Sequence, residues 1–549
     1  MLRPGPTTIV TSYDSNPVHL ATLSPDGNHL VTAVRTGCSG SRVVVRKLSC
    51  QSSGDPVIAT IPIPTLTGSS SSGLSALAWS PDSRLLLASH NDCGSIVVLS
   101  PIDHPDWRCT IEQGSAGLAA SLWSPDSRHV LAIADFSLRL DVWSLTTQSS
   151  IERIKYAKSP TIHSGPAVVA SAVPTVAFSN TCQNLAVIRR RECKDYISIH
   201  DPQEGFKQAR LSRSREILGY WPLGDQVSHF GLPTVDAYGV AWPSFKDSQL
   251  LVWENPSASS TAIVLLYVYS IAGEQLHAVK PPSGALQSDA VCLTGLALFP
   301  REGLIAVGTA GGQSHILNAD KVENRAYESF SEDSALTTEF SHHSRLIIRK
   351  NRGMQGLTGI RRLEWSPSGL YLATRDGKRY IRTPLTASVS SPLDGLEEGR
   401  SFTEHFSASE GQPSAIYIWC LSTRRLLAVL QHAREVRDFK WDPHPAANIE
   451  DRARLTSAVK RCCPGPCLSG SDSEPRSEML LSSFLVTVVT LGQHHVYTCM
   501  TSQDGPLSED ELCFNLPRHS AAGMISWCGH GSSLLVRDTK RGEISVITR

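Results

Sequence analysis

Three stretches carry residue types that could do chemistry. Arg461-Cys462-Cys463-Pro464-Gly465-Pro466-Cys467 clusters thiols that, as thiolates, could ligate zinc. A structural zinc site needs four ligands, usually as two spaced pairs, and no matching second pair follows. His494-His495 stands before a strand-like run. Adjacent strand residues point to opposite faces, so the two imidazoles do not converge on one ion. Gly308-Thr309-Ala310-Gly311-Gly312 follows an apolar run, as a phosphate-cradling loop would. Neither the Lys-Ser/Thr pair nor the helix of such a loop comes after it, so a turn between strands is expected. No Gly-x-Ser-x-Gly elbow occurs, and no spacing singles out a pair of carboxylates for acid–base work. The expectation is a protein without catalytic residues, metal site or cofactor.

The densest basic cluster is Arg189, Arg190 and Arg191 with Lys194, followed by Asp195. It lies between the apolar runs 185–188 and 196–199, so a turn is expected there. Such a turn is either a solvated hairpin tip or a contact patch for an acidic partner, such as a tubulin tail or an acidic helix. The whole chain is balanced, with 51 Lys+Arg against 51 Asp+Glu. That balance argues against nucleic acid or an anionic membrane as the main partner. The opening MLRPGPTTIVTSYDS lacks the apolar core of a secretory signal. The apolar run from Ala262 to Tyr269 is too short to span a bilayer and reads as a buried strand. The chain's 14 Cys, scattered among apolar positions, read as small core side chains in a reducing compartment.

The elements that would position any site come from one recurring unit. A short apolar strand ends on an aromatic residue, a Ser-Pro-Asp type of turn follows, and a second apolar strand returns. The clearest copies centre on Trp79, Trp123 and Trp365; Leu23 heads the same turn without the aromatic; Phe178, Trp242, Phe299, Trp441 and Trp527 head weaker ones. Pro presets the first turn angle, Asp bonds back to the backbone, and Gly accepts a positive φ. Two more strand-like runs follow each anchor, and an outer strand such as 425–429 precedes the next. Four short strands per repeat describe a propeller blade. The expected fold is all-β: a WD40-type β-propeller, a single closed ring of about eight or nine blades, with seven as the smaller possibility.

Anchor spacing runs from 44 residues (Trp79 to Trp123) to 86 (Trp441 to Trp527), against roughly 40–45 for a bare blade. Ser-, Pro- and Gly-rich insertions at about 383–414 and 443–479 fill the excess and are expected to be disordered. The last anchor is followed by inner strands alone, at 533–536 and 544–547. A strand near 8–11 would complete that sheet and remove its open edge. The whole chain, 1–549, is therefore expected to be one domain.

Two blocks go beyond a generic blade. The stretch Trp107 to Arg128, containing Glu112-Gln113-Gly114-Ser115-Ala116-Gly117-Leu118, and the stretch Arg190 to Ile199 resemble the family of WD repeat-containing protein 8, in its fungal form. The Trp365-Ser366-Pro367-Ser368-Gly369 and Trp441-Asp442-Pro443 units follow in the expected order. Candidate partner contacts in these blocks are Glu112, Ser115, Arg189, Arg190, Arg191, Lys194 and Asp195. The resemblance implies a scaffold at the spindle pole or microtubule-organising centre. It would pair with a coiled-coil microtubule-anchoring protein and a minus-end-directed kinesin, with tubulin or a gamma-tubulin complex met indirectly. Neither nucleic acid nor membrane is implied. The chain departs from the pattern in its long insertions, in Leu23 where a Trp is expected, and in that the usual Gly-His dipeptide is largely absent. A translation-initiation or RNA-associated propeller is the alternative, and it would need a basic face.

Overall fold

The computed structural model describes residues 9–11, 17–36, 40–48, 56–64, 73–114, 117–134, 139–158, 167–168, 174–203, 205–208, 229–232, 237–243, 247–254, 266–279, 293–299, 303–309 and 314–318, and from Glu328 onward the strands named below with residues 366, 367 and 369. The insertions at 383–414 and 443–479, Cys462, Cys463, Cys467 and His494 lie outside the described residues.

The described strands form nine sheets. The first holds Val18–Leu23, His29–Arg35, Gly40–Lys47 and Val57–Pro64; the second Ala76–Trp79, Leu86–His90, Ser95–Ser100 and His104–Glu112. The third holds Leu118–Trp123, His129–Ala134, Arg139–Ser144 and Ser149–Lys155. The fourth holds Val176–Phe178, Leu185–Arg191 and Lys194–Asp201, with Lys207–Gln208 and His229–Gly231 sharing the outer position. The fifth is Ala237–Ala241, Gln249–Glu254, Leu266–Ser270 and Gln275–Val279; the sixth Leu293–Phe299, Leu304–Thr309, Ser314–Asn318 and Glu328–Ser329. The seventh is Ile360–Trp365, Tyr371–Asp376, Ala415–Cys420 and Arg425–Gln431. The eighth is Val436–Trp441, Ser483–Val489 and His495–Ser502, with Gly505–Pro506 and Leu512–Asn515 outside them. The ninth, Ala522–Trp527, Ser533–Asp538 and Ile544–Thr548, gains Ile9–Thr11 as its fourth strand, antiparallel, with Ile9 opposite Ile547.

Local chemistry explains the repetition. Eight of the nine anchors are the last residue of the first strand of their sheet, and Trp242 follows its strand directly. The fourth turn residue is left-handed at Gly27 (φ 76), Ser83 (φ 63), Ser127 (φ 60), Cys182 (φ 61) and Gly369 (φ 72). That conformation lets a type I turn close a twisted hairpin. In seven sheets a bulge follows the start of the innermost strand, for example between Leu118 and Ala120, and bulges sharpen twist.

Both sides of each twisted sheet are apolar, because each packs on the sheet before and the sheet after. Val31, Val43 and Val45 of the first sheet meet Trp79, Leu86 and Leu99 of the second. Leu87, Ile96 and Val98 turn the other way, onto Leu118, Val130 and Ala132 of the third. Leu131, Leu140 and Val142 continue to Leu185 and Val187, and Ile188 and Ile197 to Val240 and Leu250. Leu251 and Trp253 reach Leu296 and Ile305, and Leu304 reaches Trp365 and Leu372. The Tyr371 and Trp441 rings stack 6.3 Å apart between the seventh and eighth sheets. The eighth lies against the ninth through Val436–Trp441 and Ala522–Trp527. Val18, Leu30 and Val34 of the first sheet close on Leu535, Ile544 and Val546 of the ninth. This succession is propeller architecture.

Two pairings depart from four strands per blade. Ala167–Val168, from the connection between the third and fourth sheets, runs parallel to Leu293–Phe299 on the inner edge of the sixth. The hairpin Leu336–Phe340 and Leu346–Lys350 extends the outer edge of the seventh, parallel to Arg425–Gln431. The repeat pattern predicts neither. The expectation for the cysteines is also corrected at two positions: Cys182 and Cys193 are exposed in turns, where a small polarisable side chain costs little, while Cys109 is buried.

Candidate docking face

Antiparallel order gives the propeller two ends. The Ser-Pro-Asp turns join first to second strands at one end, the turn face. Second-to-third hairpins and the connections to the next sheet gather at the other, the hairpin face. The turn face is chemically self-contained. Ser24, Ser80, Ser124 and Ser366 are at most 1% exposed, and each hydroxyl accepts the backbone N–H five residues on (His29, Leu85, His129 and Tyr371). Neighbouring turns are joined in relay: Asp26 N donates to Ser83 Oγ at 3.0 Å, and Asp82 N to Ser127 Oγ at 3.1 Å. Between the fourth and fifth sheets Asp247 takes over, accepting from Asn180 N at 3.2 Å and Thr181 N at 3.3 Å.

Indole groups supply a second inter-sheet link in a chain where the Gly-His dipeptide is largely absent. Trp123 Nε1 donates to Ala78 O at 3.1 Å, and Trp242 Nε1 to Ala177 O at 3.0 Å. Trp365 Nε1 donates to Ala297 O at 3.2 Å and Trp441 Nε1 to Glu364 O at 2.9 Å. Each bond crosses from one sheet to the innermost strand of the sheet before. Trp79 is buried as well, while Trp123 and Phe178 are partly buried.

On the hairpin face, the basic cluster is built differently from the expected loop. Arg189, Arg190 and Arg191 belong to the strand Leu185–Arg191, Lys194 and Asp195 to Lys194–Asp201, and the turn is only Glu192-Cys193, both left-handed (φ 51 and 60). Alternation along the strand therefore sends the three arginines to different sides. Arg190 turns towards the fifth sheet and grips Asp195, which is 0% exposed: Nε to Oδ1 is 2.8 Å. Lys158 Nζ lies 3.4 Å from the same carboxylate, and Ala237 N donates to it at 2.6 Å. Lys158 Nζ also donates to Ala237 O at 2.6 Å. Asp195 thus ties the third-to-fourth connection, its own hairpin and the fifth sheet together. Arg189 turns to the third sheet, its Nε donating to Lys155 O at 2.9 Å. Arg191 lies over the Tyr156 ring, 5.9 Å from its centroid, and pairs with Glu192 where both are exposed.

The other block forms an equivalent brace. Gln113 N donates to Gly94 O at 2.8 Å and Leu118 N to Asn91 O at 2.9 Å, clasping the second sheet's hairpin. A Cβ on Gly94, at φ +65, would stand 2.7 Å from Gly114 O, so this clasp requires glycine. Asp141, 1% exposed, pairs with Arg139 at 3.2 Å and Arg153 at 2.7 Å. With its amide nitrogen turned to Asp141, Gln113 donates to Oδ2 at 2.8 Å and accepts from Trp143 Nε1 at 3.1 Å. Glu112 is exposed at the end of its strand, opposite Ser95; Ser115 lies outside the described residues.

The two blocks, distant in sequence, share one face. Arg139 NH2 donates to Gln113 O at 3.0 Å, Arg139 stands opposite Lys155 across the third sheet, and Lys155 O receives Arg189. Lys155, Tyr156 and Arg153 are exposed members that the sequence did not single out. Tyr156 follows the strand as an isolated aromatic without repeat context, so no periodicity marks it. Asp141 carried a weak signal, a charge at an alternating position beside Arg139.

Residues 60–98 match the WD domain, G-beta repeat family. The fold is a WD40-type β-propeller. The chain is 27% identical over 443 residues to mouse (Mus musculus) "WD repeat-containing protein WRAP73", covering 77% of this chain and 80% of that one. Among solved structures, the Dos1 propeller overlays with a TM-score of 0.44 at 11% identity, over 86% of this chain and 91% of that one. Sqt1 from Chaetomium thermophilum overlays at 0.44 and 12%, over 98% and 97%. Among the described residues no three His, Cys, Asp or Glu side chains are grouped to hold a metal. The propeller's polar groups here brace one element on another; what they leave exposed is a surface suited to contact.

Proposed function

We propose that the propeller is a non-catalytic protein-interaction scaffold at the spindle pole, holding microtubule minus ends through a coiled-coil anchoring protein and a minus-end-directed kinesin. The WD40 propeller itself suggests an interaction scaffold, since rigid sheets present two loop-rich faces to partners. The single observation that carries the docking site is the convergence of the 107–128 and 190–199 blocks on one face. Glu112, Arg191 and Lys194 remain exposed there after the internal ion pairs are made. The spindle-pole assignment rests on the resemblance of those blocks, and the extended likeness to a mouse WD-repeat protein supports the broader reading of a WD-repeat scaffold.

The test is the position of a fluorescently tagged chain in mitosis together with affinity capture. Discrete foci at poles and recovery of a coiled-coil protein are expected, and removal of the chain should release minus ends from poles. Capture of chaperonins and tubulin without any coiled-coil protein, or a diffuse ribosome-like signal, would overturn the proposal.

A further inference from the structure

We infer that the seam between the third and fourth sheets on the hairpin face receives an acidic, extended segment of a partner protein, seated on Tyr156 and held by Lys155, Arg189 and Arg191. The inference rests on the scaffold reading and specifies the chemistry of its partner.

Charge is the first argument. The chain is balanced overall, with 51 cationic and 51 acidic side chains, yet this seam is not. Its two internal carboxylates, Asp141 and Asp195, are 1% and 0% exposed and committed to Arg139, Arg153, Arg190 and Lys158. Glu192, 76% exposed, is the acid that faces Arg191, and exposed pairs hold one another weakly.

The second argument is the state of Arg189. It is half-buried, and its Nε is spent on the carbonyl of Lys155; no carboxylate lies within ion-pair distance of it among the described residues. Burial acts against its cation and lowers its pKa, with Tyr156 opposing that shift and the Arg191 charge adding to it. A guanidinium in that position gains from an incoming carboxylate, which it can meet through two parallel N–H groups.

The third argument is preorganisation. Arg190 N donates to Tyr156 O at 2.8 Å and Lys158 N to Ile188 O at 2.9 Å, and an isolated bridge joins Ala157 to Arg189. These bonds fix the connection that carries Tyr156, which is 42% exposed with Arg191 laid over its ring. An aromatic platform rimmed by rigidly held cations suits a peptide with carboxylates beside an apolar contact. A nucleic-acid site would spread many phosphate contacts over a broad basic face, whereas this seam gathers its cations around a single ring.

The probe is a fluorescent glutamate-rich peptide, compared with a glutamine-substituted peptide and a single-stranded oligonucleotide of equal charge, by anisotropy on the full chain. Glutamate-peptide binding that weakens with salt is expected. The R191E variant and the R189Q/R191E double variant should weaken it about tenfold or more, while R84E, an exposed change on the turn face, leaves it intact. Unchanged melting of R191E keeps the comparison free of misfolding. Absence of peptide binding, equal loss in R84E, or tighter binding of the oligonucleotide would overturn the inference. Affinity capture separates it from the scaffold reading. A wild-type chain that recovers no partner sinks the scaffold, whereas a double variant that recovers the same partner undiminished sinks only this seam.

Discussion

Ser127 holds a backbone conformation that glycine occupies freely and other residues do not, at φ 60, while its hydroxyl accepts Asp82 N from the neighbouring turn. The two roles pull in opposite directions, and two substitutions separate them. S127A loses the acceptor and keeps the strain, and should lower stability by about 1–2 kcal/mol. S127G loses the same bond but recovers roughly 1 kcal/mol of left-handed strain, so it should fall less. Denaturant midpoints give the order: an alanine variant more stable than the glycine one would refute the strain, and an alanine variant as stable as wild type would refute the relay. His200 makes a pH-dependent prediction. Its Nδ1 meets Phe206 O at 3.0 Å, and burial pushes its pKa down to about 4. An unfolded histidine titrates near 6.5. Between those values the unfolded chain binds a proton that the folded chain refuses, so stability is full above about pH 6.5 and falls as pH drops towards 4. The loss amounts to roughly 3 kcal/mol. Urea midpoints across that range should slope more steeply for wild type than for H200Q. Parallel slopes would show that His200 is not responsible.

Among elements, the connections on the hairpin face are held by buried carboxylates as well as by their own backbone bonds. D195A leaves Lys158 and Arg190 without their shared anion, and should cost about 3–5 kcal/mol. The third-to-fourth connection should then become open to hydrogen exchange at Lys158 and Ala237; protection equal to wild type would show that the ion cluster is dispensable. The sequence made the anchors legible because a Ser-Pro-Asp turn is local chemistry, complete within a few residues. It made the basic run at Arg189 legible as a run, but not its destinations. Alternation divided those side chains between two sheets, and the groups that complete their surroundings, Lys155 O for Arg189 and Lys158 and Ala237 on the Asp195 that Arg190 grips, come from segments that only folding brings near. The extra strands at Ala167–Val168 and Leu336–Lys350 were illegible for a related reason. Both join by parallel pairing to distant strands, which no local pattern encodes.

At the scale of the whole molecule, the sheets succeed one another by shared apolar faces and, at Trp123, Trp242, Trp365 and Trp441, by indole bonds to the sheet before. The seam between last and first sheets adds a further link, because Ile9–Thr11 completes the ninth sheet while Val18, Leu30 and Val34 pack on it. Removing residues 1–11 should leave Ile544–Thr548 as an open edge, lower the melting temperature and promote self-association. Size-exclusion chromatography and thermal melts read both effects, and a monomeric truncation with unchanged melting would count against that link.

The same strand sets a clock on biosynthesis. Ile9 is made well before Ile547, its partner, with eight sheets between them. At about 5–20 residues per second, that separation is roughly half a minute to two minutes. Throughout that interval the first strand waits unpaired while eight sheets are built behind it, and the ninth cannot be completed until Ile547 is made. A nascent chain of this protein therefore carries a sticky apolar strand throughout that interval, and its demand on chaperones should fall once Ile544–Thr548 is made.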